Sequence, residues 1–294
     1  MGIEVPTPSH RAYASDMRFD SVAQYGGTAL YLISREKVYG HTREGVTMHD
    51  RLHKEGLANL RGDETVVDLG CGYGRTLRKL RDRGHKGHLV GFDANDTWSV
   101  LPPKDLKGLD LILKDARNTE LPDESADVVI LEKSIYHFPN ILPEVYRIMK
   151  PGARAEVTTS GEYNKTKQRI LQELIIRAIN NDNQEEEEIT SPVDLAAPFK
   201  SAKMYDLMPV IFDTVVKHEP IQTIMIINGL EALEDYVGSI DSMSTTCNPP
   251  IPGGIWHPYT LRHAVPLIKM EWHLNGRYSD FIDQHWMTGY KKAA

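Results

Sequence analysis

The sequence predicts an α/β fold in which a doubly wound, mostly parallel sheet follows an N-terminal helical cap and carries inserted helices after its fifth strand. Two observations predict this fold. Short apolar runs alternate with helical patterns from residue 65 to residue 160, and the first run ends in a glycine-rich turn. Near-continuous apolar strands that alternate with helices are typical of a parallel sheet covered on both faces. In such sheets, ligands bind beyond the carboxyl ends of the strands.

The elements of the sheet follow from the apolar runs and from residues that end helices. A helix is predicted from Arg75 to Arg83 and ends at Gly84, and a second helix over residues 141–150 is stopped by Pro151. Five strands are predicted, over residues 65–69, 88–93, 109–115, 126–131 and 153–159. Their order along the chain predicts βα units, which build parallel sheets.

Three regions are expected: a helical cap or lid over residues 1–60, the sheet core over residues 61–160, and a remainder over residues 161–294 that adds substrate-covering insertions. In the remainder we expect a helix over residues 161–180, two strands over residues 215–227, a loop from Asn248 to Pro258, a helix from Tyr278 to Trp286, and a final strand from Met287 to Lys291.

The composition argues against several classes of function. The 294-residue chain has a formal net charge of −7, and an acidic surface repels phosphate backbones, so no nucleic-acid partner is expected. It has no apolar run of the roughly 20 residues that a membrane span needs, and the N-terminus lacks the apolar core of a signal peptide. We therefore expect a cytoplasmic protein without a membrane partner. Whether it forms a homo-oligomer stays open.

The strongest chemical signal is the turn after the first strand, in which Gly70, Gly72 and Gly74 stand at alternate positions before a helix. Glycine permits positive φ angles and lets a ligand approach the backbone closely. Amide groups that open a helix can bind a carboxylate or a phosphate. A dinucleotide fingerprint requires Gly-x-Gly-x-x-Gly/Ala, but Arg75 occupies its third glycine position. An NAD-dependent oxidoreductase is therefore the less favoured alternative.

The turn and the segments after it resemble, in order, the motifs of the class I S-adenosylmethionine (SAM)-dependent methyltransferases of the small-molecule type. Asp68-Leu-Gly-Cys-Gly-x-Gly resembles the first motif, Asp93 stands where the family has an acid for the ribose hydroxyls, and Asp115-Ala116 resembles the pair that meets adenine. Leu131-Glu132 and the residues after it resemble the fourth motif, whose strand end lies beneath the sulfonium. The cofactor-binding residues that the resemblance implies are Asp68, Gly70, Cys71, Gly72, Asp93, Asp115, Ala116 and Glu132.

The resemblance covers residues 60 to 160 and implies a Rossmann-like sheet with SAM as its cofactor. One segment departs from it, because the family has a full helix between the second and third strands. Here Pro102-Pro103 stands in a polar stretch, and proline breaks a helix interior. We therefore expect that helix to be short or missing.

Methyl transfer to a hydroxyl or an ammonium requires a base, and histidine suits that role near neutral pH. His137, just past the fourth strand, is the predicted catalytic residue. Aromatic side chains can wall an acceptor pocket, and the predicted substrate-binding residues are Tyr25, Tyr39, Tyr136 and Trp256. His49 and His53 have the i, i+4 spacing of a metal pair, but no third ligand is evident. We expect a solvated helix face there and no metal.

The sequence thus predicts a SAM-dependent methyltransferase that acts on N or O of a small-molecule acceptor in specialised metabolism. Two further alternatives stay open. One is a C-methyltransferase, with or without cyclisation, and the other is a SAM-binding protein that does not methylate. The identity of the acceptor does not follow from the sequence.

Overall fold

The computed structural model forms one mixed sheet with helices on both faces. It describes residues 43–44, 47–99, 101–135, 139–160, 167–182, 201–227, 236–237, 253–275 and 278–294. Its strands are β1 (Arg43–Glu44), β2 (Val66–Leu69), β3 (Leu89–Asp93), β4 (Asp110–Leu113), β5 (Ala126–Glu132), β6 (Met149–Ser160), β7 (Thr214–Lys217), β8 (Ile221–Ile227) and β9 (Tyr278–Tyr290). Its helices are α1 (Met48–Arg51), α2 (Arg75–Asp82), α3 (Leu142–Ile148), α4 (Lys167–Asp182), α5 (Ser201–Ile211), α6 (Gly253–Tyr259) and α7 (Val265–Asn275).

The strand order is β1-β8-β9-β6-β5-β2-β3-β4, and β7 pairs with β9 beside β8. The five strands from β2 to β6 are parallel, and they lie where the apolar runs predict them. A 3₁₀ turn, Pro103–Leu106, stands between β3 and β4, so the expected loss of a full helix is confirmed. The α/β, doubly wound, mostly parallel fold is confirmed as well.

The core lies on both faces of the parallel strands because neighbouring residues of each strand point to opposite sides. Val67 and Val129 face a cluster that α3 and α5 complete. Val66 and Val128 face a second cluster, built with Leu52 and with side chains of α1 and α2. Burial on both faces explains why these strands read as continuous apolar runs instead of alternating ones.

The C-terminal segment is one long strand, so the helix predicted from Tyr278 to Trp286 is wrong. β9 pairs antiparallel with β6 along one edge and with β7 and β8 along the other. Gln284, Trp286 and Met287 are all buried, although Trp286 and Met287 point to opposite faces. A strand buried on both faces has no period-two pattern, which is why the sequence did not distinguish it from a helix.

The loop predicted from Asn248 to Pro258 is also partly wrong, because α6 begins at Gly253. A π-helical turn, Thr260–Ala264, joins α6 to α7. Every fourth residue of this stretch is fully buried, namely Trp256, Thr260, Ala264 and Ile268. Packing of this buried stripe stabilises the helical stretch. Pro258 weakens α6 locally, because proline has no N–H to donate. None of the described helices is long and apolar enough to cross a bilayer.

The described part of the predicted cap is short and only partly helical. β1 pairs antiparallel with β8, and α1 continues into a π-helical turn, Leu52–Gly56. Thr47 caps α1, because its Oγ1 accepts a hydrogen bond from the Asp50 amide at 3.1 Å. In its described residues the cap thus contributes helix α1, which packs on the sheet, and the short strand β1, which joins it.

Candidate functional site

The glycine-rich turn joins β2 to α2 with a backbone that glycine adopts readily. Gly70, Gly72 and Gly74 have φ angles of 79°, 53° and 72°, in the left-handed region that disfavours other residues. The amides of Gly70 and Cys71 donate to the carbonyl oxygen of Phe92 at 2.7 and 3.0 Å. The turn is therefore tied to the end of the neighbouring strand, β3.

Asp93 ends β3 and holds the turn through its carboxylate. Its Oδ2 accepts a hydrogen bond from the Gly72 amide at 2.8 Å, and its Oδ1 accepts one from the Asn95 amide at 2.9 Å. Burial raises the pKa of Asp93 above its ordinary value, although these hydrogen bonds act in the opposite direction. A carboxylate offers about four acceptor sites, so acceptor capacity remains for a ligand. The turn and the acid at the end of the second predicted strand are in direct contact.

Asp68 lies in β2 and is 2% exposed. Its Oδ1 is buried and has no hydrogen-bond partner. Burial raises the pKa of Asp68 well above its ordinary value, and the nearby carboxylates of Glu132 and Asp93 raise it further. A buried carboxylate without a partner costs free energy. A ligand cation at Oδ1 would relieve that cost, so Asp68 is a candidate for binding a positively charged group.

Glu132 ends β5, and its carboxylate is bound by residues of two helices. Nδ1 of His49, on α1, lies 3.1 and 3.0 Å from the two carboxylate oxygens, and Oγ1 of Thr76, on α2, donates to Oε2 at 2.6 Å. Burial alone would raise the pKa of Glu132. The nearby His49 and the hydrogen bonds from His49 and Thr76 outweigh burial and hold that pKa far below its ordinary value. These contacts join the cap to the sheet.

His49 and His53 face the protein interior, so the expected solvated helix face is wrong. Their side chains are 4% and 0% exposed, and their rings pack edge to face with centroids 4.6 Å apart. Burial lowers the pKa of His53 to about 3, and the nearby His49 and Lys79 add to this effect. Each buried ring has one polar contact at Nδ1, which is with Glu132 for His49 and with Arg83 for His53. In the described ranges, no group of three His, Cys, Asp or Glu side chains could hold a metal.

The backbone just after β5 is strained and is tied to both neighbouring strands. Lys133 has a φ of 56°, and a non-glycine residue in that region costs of order 1–3 kcal/mol. Its amide donates to O and Oγ1 of Thr158, both at 3.1 Å. Oγ of Ser134 donates to the carbonyl oxygen of Leu69 at 2.6 Å. The ends of β2, β5 and β6 are therefore locked together, and such strain clusters at functional sites.

Asp115 and Ala116 follow β4, at the same carboxyl edge as Asp93, because β3 and β4 are parallel. Oδ1 of Asp115 accepts the Arg117 amide at 2.9 Å, and Nη2 of Arg117 lies 2.7 Å from Oδ2. Ala116 is buried. The predicted role of this pair toward adenine stays a prediction.

The other predicted site residues fall into two groups. Cys71 is buried in the turn, where burial raises the pKa of its thiol, and Trp256 is fully buried in α6. Tyr25, Tyr39, Tyr136 and His137 lie outside the described residues. Their predicted roles are untested.

Two contributors at this edge were not assigned to it from the sequence. Thr76 stands in the first turn of α2, and a hydroxyl so close behind the glycines is a local signal that could have been used. His49 lies 83 residues from its partner Glu132, and no local pattern links positions that far apart.

Comparison with known proteins finds methyltransferases that are similar to this part of the chain. Residues 67–156 match a protein-family model described as a methyltransferase domain. The chain is 28% identical over 148 residues to the phthiotriol/phenolphthiotriol dimycocerosates methyltransferase of Mycobacterium tuberculosis. That alignment covers 44% of this chain and 55% of the relative. The matched part thus spans about half the length of the curated relatives.

Two solved structures show the same fold over most of the chain. Phosphoethanolamine N-methyltransferase 2 of Haemonchus contortus, in complex with phosphomonomethylethanolamine and S-adenosylhomocysteine, superposes with a TM-score of 0.52 and 13% identity, covering 94% of this chain and 60% of that chain. The [4+2]-cyclase SpnF superposes with a TM-score of 0.53 and 11% identity, covering 90% of this chain and 94% of that chain. At these identities the likeness extends to the fold alone.

Proposed function

We propose that this chain, whose residues 67–156 match a model described as a methyltransferase domain, binds SAM and transfers its methyl group to a nitrogen or oxygen atom of a small molecule. The observation that carries the proposal is the glycine turn held by Asp93 beside the unpartnered oxygen of Asp68. This edge of the sheet offers a closely approachable backbone, the buried acid Asp68 and the half-buried acid Asp93.

The groups of SAM fit these features one by one. Asp93 retains acceptor capacity for ribose hydroxyls, and Oδ1 of Asp68 lacks the cation that an amino-acid ammonium would supply. The amides at the start of α2 suit the amino-acid carboxylate. The bound sulfonium supplies an activated methyl group. The protein then has to orient the acceptor, a task that can contribute roughly 7–11 kcal/mol.

For the acceptor we propose a small molecule in a pocket that includes Tyr25, Tyr39, Tyr136 and Trp256, with His137 as a candidate base. This assignment depends on the sequence. The N-methyltransferase of Haemonchus contortus, which has the same fold, holds phosphomonomethylethanolamine, and this favours a small acceptor. The absence of a nucleic-acid partner is proposed on the net charge of −7, and a cytoplasmic location stays a prediction.

Two other functions are compatible with the same cofactor site. A C-methyltransferase would need no proton acceptor before bond formation. A SAM-binding protein that does not methylate is favoured by the fold that the chain shares with a [4+2]-cyclase. Incubation with labelled SAM and a metabolite extract separates these functions, because only a methyltransferase produces a labelled product, and its structure identifies the methylated atom.

Calorimetry with S-adenosylhomocysteine tests the cofactor site. We expect saturable binding by the wild-type protein and weaker binding by Asp93→Ala, at a cost of about 1.5–3 kcal/mol for lost hydrogen bonds to a charged group. Asp96→Ala, which removes an exposed acid three residues away, is the matched control and should bind like the wild type. NAD should not bind. Folded wild-type protein that takes up no S-adenosylhomocysteine would rule the proposal out.

A further inference from the structure

We propose that His49 and Glu132 form a histidine–carboxylate dyad in which Nε2 of His49 takes the proton of the acceptor and Glu132 is the positioning residue. The inference rests on the proposed function, and it assigns to His49 the base role for which His137 is the other candidate. It also narrows the acceptor to a group that must lose a proton, such as a hydroxyl or an ammonium.

The contacts of Glu132 fix the orientation of the His49 ring. Nδ1 of His49 lies 3.1 and 3.0 Å from the two oxygens of Glu132, and Thr76 holds the same carboxylate from α2. A histidine that donates its Nδ1–H to a carboxylate keeps its lone pair on Nε2, which is the tautomer that a base needs. Ionised Glu132 can only accept, so the direction of this hydrogen bond is set.

Nε2 of His49 is the open end of the dyad. Within the described part of the chain, both hydrogen bonds of His49 use Nδ1. Nε2 of the neighbouring His53 is fully buried and has no partner, but Nε2 of His49 is not among such buried atoms. The His49 ring as a whole is 4% exposed, and we propose that this small exposure lies at Nε2, where an acceptor group would meet the ring.

The dyad lies at the edge of the sheet where the cofactor is proposed to bind. Glu132 ends β5, and its carboxylate is close enough to Asp68 to raise the pKa of that acid. Thr76 follows Gly74 by two positions, and Ser134 ties the end of β5 to Leu69 at the end of β2. A ligand seated on the glycine turn would therefore lie next to His49.

The proposed step balances without a further reactant. The proton of the acceptor O–H or N–H moves to Nε2 of His49, and the freed electron pair forms the bond to the methyl carbon. The carbon–sulfur bond breaks with its electron pair left on sulfur, which becomes a neutral thioether. His49 then releases the proton to water, and Glu132 stabilises the transient imidazolium.

Nitrogen-15 NMR of the full chain separates this dyad from a purely structural ion pair. His49→Gln identifies the His49 signals in a long-range proton–nitrogen correlation spectrum. In the neutral form of the His49 ring we expect the proton on Nδ1, the nitrogen that faces Glu132. Glu132→Gln should shift the proton toward Nε2, whereas Thr76→Val, which keeps the carboxylate, should not. A ring that stays doubly protonated through the neutral range, or one protonated on Nε2 in the wild type, overturns the proposal.

Diethyl pyrocarbonate provides a second test that needs no variant, since Glu132→Gln can fail to fold. The reagent modifies accessible, unprotonated imidazole nitrogens, and peptide mapping locates each modified histidine. In the ligand-free protein we expect His49 to react, the exposed His273 to react as the positive control, and the fully buried His53 to stay unmodified. Saturating S-adenosylhomocysteine should abolish the reaction at His49 and leave that at His273.

A His49 that does not react without ligand, or one that reacts equally when the ligand is bound, overturns the dyad. Calorimetry on the same sample shows whether the dyad alone is wrong or the proposed function is wrong as well. If S-adenosylhomocysteine does not bind, the cofactor assignment is wrong. If it binds but does not protect His49, only the dyad is wrong.

Discussion

Asp68→Asn should make the ligand-free protein more stable and its cofactor binding weaker. The pKa of Asp68 is raised by burial and by nearby carboxylates. A raised carboxyl pKa means that its contribution to stability is fully present below the ordinary value and is lost as pH rises through the folded-state value. At neutral pH the raised pKa of Asp68 therefore lowers the free energy of unfolding, and asparagine, which does not titrate, removes that penalty.

The expected magnitudes follow from the unpartnered Oδ1. An unsatisfied buried polar group costs about 1–3 kcal/mol. Because asparagine keeps one polar atom there, we expect the free energy of unfolding to rise by about 1 kcal/mol, near the lower end of that range. Loss of a charge-assisted hydrogen bond to the cofactor ammonium should cost about 1.5–3 kcal/mol. That cost raises Kd about tenfold to a hundredfold.

Urea unfolding at neutral pH measures the first effect, and calorimetry with S-adenosylhomocysteine measures the second. Asp127→Asn is the matched control, because Asp127 accepts hydrogen bonds from the Thr65 amide and from Lys150, both at 2.8 Å. It should lower stability and leave affinity unchanged. If Asp68→Asn destabilises the ligand-free protein, or binds S-adenosylhomocysteine as tightly as the wild type, the reasoning about Asp68 is refuted.

Three further predictions concern the surroundings of the site. Gly91→Ala should lower the free energy of unfolding by about 1–3 kcal/mol, because an added Cβ would lie 2.7 Å from Sγ of Cys71; unchanged urea unfolding would contradict it. Glu132→Gln should lower the free energy of unfolding by about 1.5–3 kcal/mol at neutral pH, since His49 and Thr76 lose their hydrogen bonds to a charged carboxylate. The depressed pKa of Glu132 means that this stabilisation is lost as pH falls. The free energies of unfolding of variant and wild type should therefore converge in acid. A difference between them that stays constant with pH would refute the idea. The raised thiol pKa of Cys71 predicts slow alkylation by iodoacetamide in folded protein and fast alkylation in urea; equal rates would argue against a buried thiol.

The parallel half of the fold could be predicted because its signals are local. Apolar runs marked β2 to β6 to within a few residues, and Pro102-Pro103 marked the missing helix. The assignment of Asp93 and the glycine turn to one site was also possible, because parallel neighbouring strands end at the same edge of a sheet. These inferences needed only residues that are close together in the sequence or aligned by a regular fold.

The parts that could not be predicted depend on distant contacts. β9 is buried on both faces by strands far away in the sequence, so its composition alone also suits a helix. The buried stripe that begins at Trp256 was hidden by glycines and prolines. His49 was expected in solvent because its partner Glu132 is far along the chain. In each case tertiary packing overrides the local pattern.

The position of β9 also constrains when the protein can assemble during synthesis. It is the last of the described strands to leave a ribosome, yet β6, β7 and β8 all hydrogen-bond to it. Until it arrives, β6 presents an open edge that contains Ala155 and Val157, and an unpaired apolar edge is prone to aggregation. A nascent chain therefore passes through a period in which the edge of β6 is open to pairing with other chains. A premature stop ahead of Tyr278 would leave that edge open permanently.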